Sequence, residues 1–223
     1  MAGTVGLFVP CYIDQLWPRA ARAAVELVEA LGFEIRIANA ICCGQMFAND
    51  GNEFEAARVF GFWSREHAGF DHVVVLSASC AGFLRAKGAR VLEFCEWIVT
   101  EAPERFPRPV RRVLALHSSC SALRGTRSAW AARALLTRVA GLELSEPEHA
   151  SECCGFGGTF ATSFSEVSIE MGRDKIRGFF GGDRPVEGVV SADCSCLLHL
   201  KGLAPEEKKF FHVSEVLLEA LGA

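Results

Sequence analysis

Two adjacent cysteines followed by glycine occur twice, as Cys42-Cys43-Gly44 and Cys153-Cys154-Gly155, and most of the remaining cysteines repeat with them. Cys11 maps onto Cys120, the Cys42–Cys43 pair onto Cys153–Cys154, and Cys80 onto Cys196, each shifted by roughly 110 positions. A short apolar run precedes each lone cysteine (GLFVPC and LALHSSC), and Ser-Cys recurs at Ser79-Cys80 and Ser195-Cys196. A chain of 223 residues patterned this way must build one small unit twice. The joint falls in the Pro- and Arg-rich stretch EAPERFPRPVRR, which divides the chain into residues 1–112 and 113–223.

Each half reads as the same order of elements. In the first, short apolar runs predict strands over Thr4–Val9, Phe33–Ala38 and His72–Ser77. Helices are expected over Pro18–Leu31, which opens with Pro and closes at Gly32, and over Asn52–Ala68. In the second, strands are expected over Val113–Leu116, Leu142–Leu144 and Gly188–Ser191, with helices over Ser128–Val139 and Ser165–Phe180. Alternating strands and helices imply an α/β fold of two tandem, pseudo-symmetric repeats, each with a small, mainly parallel sheet flanked by helices. The lone cysteine, the cysteine pair and the last cysteine of each half all follow a strand. Loops after parallel strands gather at one edge of a sheet. Cys11, Cys42, Cys43 and Cys80 are therefore expected to converge, and so are Cys120, Cys153, Cys154 and Cys196.

Other function classes find little support. The formal net charge of −4, with no long run of one sign, leaves no footprint for nucleic acid. No apolar stretch approaches the roughly 18 residues of a membrane span. MAGTVGLFVP lacks the basic start and long apolar run of an export signal, so a cytoplasmic location is expected, if peripheral to the membrane then through partners. Disulfides are rare in that reducing compartment, and ten cysteines then call for metal. GFGGTF does not complete a dinucleotide or phosphate loop, so neither flavin nor NAD is expected on this chain. Zinc and iron–sulfur chemistry compete for the thiols. Structural zinc usually draws on Cys-x₂₋₄-Cys knuckles, and adjacent cysteines fit two corners of one small tetrahedron poorly. They suit different irons of a larger cluster, which favours iron–sulfur and leaves zinc, or a non-redox scaffold, as the alternative. Gly44, Gly155, Gly157 and Gly158 would leave backbone N–H groups free to donate to such an anionic group, and His117 is a candidate donor to it.

CCGQMFANDG, its partner CCGFGGTF, the approach HSSCSALR and SADCSCLLH together resemble the cysteine-rich CCG-domain family over essentially the whole chain. That family includes the cysteine-rich subunit of heterodisulfide reductase and the iron–sulfur subunits of glycolate and anaerobic glycerol-3-phosphate oxidation. YIDQLWP near the start and HVSEVL near the end are most similar to its stand-alone, two-copy members. The resemblance implies iron–sulfur clusters and a part in oxidising L-lactate to pyruvate. The implied partners are a ferredoxin-like iron–sulfur subunit and a further lactate-utilisation subunit. Another 2-hydroxy acid such as glycolate stays open as the substrate, and no catalytic residue is assigned.

Relatives often end each half in Cys-x-x-Cys, but Ser77 and Asp193 stand at the first position of that pair here. Four thiols per half then suit one [4Fe–4S] cluster per repeat. Cys194 is an extra thiol, open between spare and ligand, and Ser121 follows Cys120 where relatives often carry His. Cys95, in the apolar context LEFCEW, reads as core. His199 and His212 read as structural or surface, and Phe60, Phe62 and Trp63 as core. Arg124, Arg127, Arg173 and Lys175 read as solvated helix charges, with Arg124 the one that can balance cluster charge.

Overall fold

The computed structural model describes residues 4–37, 42–71, 73–183 and 185–222. The first half runs β1 (Thr4–Phe8), α1 (Cys11–Leu16), α2 (Pro18–Ala30), β2 (Glu34–Ile37), α3 (Gln45–Asn49), α4 (Glu53–Glu66), β3 (Val73–Val75), α5 (Ala78–Ala86), β4 (Val91–Glu93) and α6 (Phe94–Glu101). The second runs β5 (Arg112–His117), a π-helical turn (Ser121–Gly125), α7 (Ala129–Leu136), β6 (Leu142–Ser145), α8 (Phe160–Ser163), α9 (Ser165–Phe180), β7 (Gly188–Ser191), α10 (Cys194–Lys201), β8 (Lys209–His212) and α11 (Val213–Leu221). Ala38 and His72, expected at strand ends, lie outside the described residues.

Each half forms a four-stranded, all-parallel sheet, in the orders β2-β1-β3-β4 and β6-β5-β7-β8. Three strands per half were expected, and the fourth is a correction. β4 (VLE) and β8 (KFFH) each run straight into a helix, with no turn signal between to mark a strand end. Strand order reverses between β1 and β3, and between β5 and β7, which opens a crevice at the carboxyl ends of those strands.

The halves are not separate globules. α11 packs on α2, and α6 packs on α7, so each half closes over the first long helix of the other. Ser214 Oγ donates to the Ala20 carbonyl at 2.8 Å, Trp17 Nε1 to Glu215 at 3.1 Å, and Arg138 to the Val99 carbonyl at 3.1 Å. One apolar core runs through Leu27, Ile98, Leu114, Leu135 and Leu217, drawing on both sheets. Burying such faces against each other supplies the stability that a sheet of four short strands cannot.

The two closing helices start alike, with Glu93 capping α6 and His212 capping α11, each completed by a Glu (Glu96 or Glu215) reaching back. Glu93 is buried, and desolvation pushes its carboxyl from 4.5 up to about 8. The folded chain holds that proton more tightly than the unfolded one. Its contribution is therefore full below about pH 4.5 and is lost as pH rises towards 8. Glu93→Gln is expected to flatten the fall in thermal midpoint between pH 5 and 8. An unchanged slope would show that another group titrates there.

Candidate metal centres

The crevice of each sheet collects its cysteines because each follows a strand. The expected loops are partly helix starts, however. Cys11 opens α1, Cys80 sits in the first turn of α5 and Cys196 in that of α10. Cys120 lies just before the π-helical turn. A helix start places backbone N–H groups and the positive end of the dipole beside Cys80 and Cys196. The pairs Cys42–Cys43 and Cys153–Cys154 lie in irregular chain, with Gly44 and Gly155 next.

Those two glycines are required. Gly44 has φ +101 and Gly155 φ +92, in the left-handed region. A Cβ on Gly44 would lie 2.8 Å from the Ala56 carbonyl oxygen of α4, and one on Gly155 2.5 Å from that of Ser168 in α9. The close approach turns each glycine N–H onto the preceding thiol: Gly44 to Cys42 Sγ and Gly155 to Cys153 Sγ, both at 3.4 Å. No such contact from Gly157 or Gly158 to sulfur occurs among the described residues.

In the first half the thiols form a chain of contacts from Cys11 to Cys42 to Cys43 to Cys80, with Cys43 and Cys80 sulfurs 3.2 Å apart. The second half repeats it from Cys120 to Cys153 to Cys154 to Cys196. In both, the first two thiols are half-buried and the last two buried. The eight cysteines that sequence spacing groups into two sets of four are thus brought together in those sets.

Crowding sets their protonation. Hydrogen bonds from Cys11 and Cys43, with the Gly44 N–H, hold Cys42 down at about 3 against the opposing cost of burial. Cys11 is raised by its contact with Cys42 and then by burial, and Cys43 by Cys42, by Cys80 and then by burial. Cys120 is raised by Cys153 and by burial, with Arg124 pulling the other way. At Cys154 the lowering contact with Cys153 is outweighed by Cys196 and burial. Without a cation, the first set carries its negative charge on Cys42, while the raised Cys11 and Cys43 keep their protons. Thiolate-binding metal would replace those protons, so the donor chemistry fits a metal centre. The 3.2 Å sulfur contact is shorter than the about 3.8 Å expected between thiolates on one tetrahedral ion with 2.3 Å bonds. Any bound group must spread the thiols.

Cys194 is fully buried, and burial, then the Asp193 charge, pushes its thiol pKa up, with no other thiol involved. Cys95 is fully buried too and likewise raised by burial. Cys95→Ala is expected to leave metal content unchanged and to cost about 1–2 kcal/mol of stability for the lost packing. Metal loss matching that of a Cys154 variant would contradict this assignment.

Several residues around the centres were not legible as such. Lys175, read as a solvated charge, is buried, and its Nζ donates to the His149 and Ala150 carbonyls at 2.8 and 2.9 Å. It anchors the chain leading into Cys153–Cys154 and is a buried cation beside their sulfurs. The signal was its register: Ser168, Gly172, Lys175, Ile176 and Phe179 form the buried stripe of α9. Arg124 donates to the Ser151 carbonyl at 3.3 Å and lines, with Glu152, Cys153, Met171 and Asp174, an open cavity of about 340 Å³. Tyr12 bridges the halves, its hydroxyl lying 2.9 Å from Ser77 Oγ and 3.1 Å from Asp193 Oδ1. Ser77 and Asp193, each three residues before the last thiol of its set, are thus tied together through one tyrosine. His117 is buried, and desolvation, then the Lys175 charge, pushes its ring down to about 3, so it is neutral. His212 is buried as a helix cap, and His199 meets the Ser168 carbonyl at 3.2 Å. Trp63 is core as expected, whereas Phe62 is 47% exposed, with Arg65 over its ring.

The model of the cysteine-rich CCG domain matches twice, over residues 5–85 and 114–201. The chain belongs to the CCG cysteine-rich domain family. Both matched CCG segments hold one complete set of four thiols. Among relatives, the lactate utilization protein A of Geobacillus sp. (strain WCH70) is 32% identical over 235 residues, covering 96% of this chain and 98% of that one. That of Exiguobacterium sp. (strain ATCC BAA-1283 / AT1b) is 30% identical over 245 residues, covering 97% and 98%. A crystal structure of a hypothetical protein from Helicobacter pylori superposes with a TM-score of 0.70 at 7% identity. It covers 100% of this chain and 50% of that one, a likeness of the CCG fold alone. Among the described residues, no helix is long and apolar enough to cross a membrane.

Proposed function

We propose that this chain is an iron–sulfur electron-transfer subunit of a complex that oxidises L-lactate to pyruvate. The observation that carries the reading is the duplicated contact chain of four thiols at the reversal point of each sheet. Residues 1–112 and 113–223 are the two units. Cys11, Cys42, Cys43 and Cys80 hold one [4Fe–4S] cluster, and Cys120, Cys153, Cys154 and Cys196 the other. Such clusters supply one-electron transfer. The chain's own residues supply the surroundings: glycine N–H groups on the outer thiols, Lys175 as a buried counter-charge, and half-buried Cys11, Cys42, Cys120 and Cys153 as the side open to exchange.

Oxidising lactate to pyruvate releases two electrons and two protons, and two one-electron centres in one chain match that count. Neither a flavin nor a nicotinamide fingerprint is present, so the hydride step falls to partners: a ferredoxin-like iron–sulfur subunit and a further lactate-utilisation subunit. The relatives named lactate utilization protein A supply the substrate in this reading. Deleting the gene should stop growth on L-lactate and spare growth on pyruvate, and a Cys42→Ser copy should fail to restore it. Full growth on L-lactate, in a strain with no other lactate dehydrogenase, would redirect the reading to glycolate or another 2-hydroxy acid.

A mononuclear ion is the second reading at the second centre. His117, Cys154 and Cys196 place their donor atoms within 4.8 Å of one another, a spacing that suits zinc. Metal analysis separates the two readings.

A further inference from the structure

The two centres share their thiols but not what lies beneath them. Phe8 and His117 are equivalent: each ends the first strand of its sheet, three residues before the lone cysteine. Ala56 and Ser168 are equivalent as well, because each presents its carbonyl to the glycine after the cysteine pair. Two turns further along, α4 carries Trp63 and α9 carries Lys175. A third turn brings His67 and Phe179. Under the first centre Phe8 meets Trp63 and His67 edge-on, at centroid separations of 5.7 and 5.4 Å. Phe8, Trp63, Cys43 and Cys80 belong to one apolar cluster. Under the second centre the same place holds His117, edge-on to Phe179 at 5.9 Å, with Lys175 beside it.

His117 is 2% exposed, and neither ring nitrogen has a hydrogen-bond partner. Leaving a buried imidazole unpaired is costly, so a ring kept there needs a partner that arrives later. It lies within 4.8 Å of Cys154 and Cys196, both buried. It also borders a small cavity of about 10 Å³, lined in part by Ser119, Ser128 and Ser191, room for one water. A neutral imidazole offers a lone pair on one nitrogen and an N–H on the other. A metal centre on one side and a water among hydroxyls on the other would satisfy both, the usual arrangement of a ligating histidine.

We infer that His117 supplies a nitrogen ligand to the metal centre held by Cys154 and Cys196, a donor that the first centre lacks because Phe8 stands in its place. The inference rests on the reading of these thiols as a metal centre. The two centres then differ in donor set, sulfur alone against sulfur with nitrogen.

The test uses the full chain carrying Cys42→Ser and Cys43→Ser, so that only the second centre is loaded with iron and sulfide. Pulsed EPR of the reduced protein is expected to show a directly bonded nitrogen that shifts on ¹⁵N-histidine labelling. His117→Phe, which installs the first unit's own residue and so suits the fold, should abolish that signal and shift the midpoint potential. His117→Gln should also abolish it. No histidine nitrogen, or the same signal in His117→Phe, would overturn the inference while leaving the clusters in place. If the chain takes up zinc and no sulfide, the cluster reading fails instead. Zinc-edge absorption then puts the same question: one nitrogen in the shell, lost in His117→Phe, supports the inference, and an all-sulfur shell overturns it.

Discussion

Replacing Cys154 by Ser is expected to halve the metal content and to leave the first centre's spectrum intact. Cys154 is the buried link of the second set, in contact with both Cys153 and Cys196. Its loss removes an inner donor, whereas the outer thiols are half-buried and closer to solvent. The effect on stability should exceed that of an ordinary core change, because metal binding and folding are coupled. α11 of the second half closes over α2 of the first, so the loss should lower one cooperative unfolding transition rather than split it. Iron content and calorimetry of the same sample check both parts. A variant that keeps full iron would remove Cys154 from the ligand set.

Gly155→Ala should be nearly as damaging, although it removes no donor. Its added Cβ would sit 2.5 Å from the Ser168 carbonyl oxygen and 2.8 Å from the Met171 Cβ, in a left-handed conformation that alanine resists. Backbone strain of about 1–3 kcal/mol adds to the clash. The chain must back away from α9, which carries Cys153, Cys154 and the Gly155 N–H off their places. The expected outcome is loss of most of the second centre's metal at normal iron supply. Gly158→Ala, also left-handed at φ +65 but with nothing closer than 3.9 Å to its Cβ, is the control: it carries the backbone strain without the clash and should retain most of the metal. Equal iron loss in both would mean that the loop, rather than the approach to α9, sets the geometry.

How much of this could be read in the sequence follows from the range of the forces involved. The repeat and the parallel α/β order were legible because cysteine spacing and apolar periodicity are local signals. α9 and β7 fall over Ser165–Phe180 and Gly188–Ser191 as expected. Grouping of the thiols followed from topology, since parallel strands deliver their following loops to one edge. β4 and β8 escaped notice because each runs straight into a helix, with no turn signal to mark its end. Lys175 was misjudged by weighing its charge and not its register on the buried stripe of α9. The Tyr12 bridge to Ser77 and Asp193, and the exchange of α6 and α11 between halves, depend on how the repeats pack. No window of one repeat contains that information. The unequal surroundings of the two centres emerge only when Phe8 is set against His117 and Trp63 against Lys175.

The most direct measurement is iron, zinc and acid-labile sulfide per chain in anaerobically purified protein, with optical and EPR spectra before and after reduction. Two [4Fe–4S] clusters give about eight iron atoms and eight sulfides, with a signal that appears or vanishes on reduction. Stoichiometric zinc with no sulfide and no redox-active signal would contradict the account.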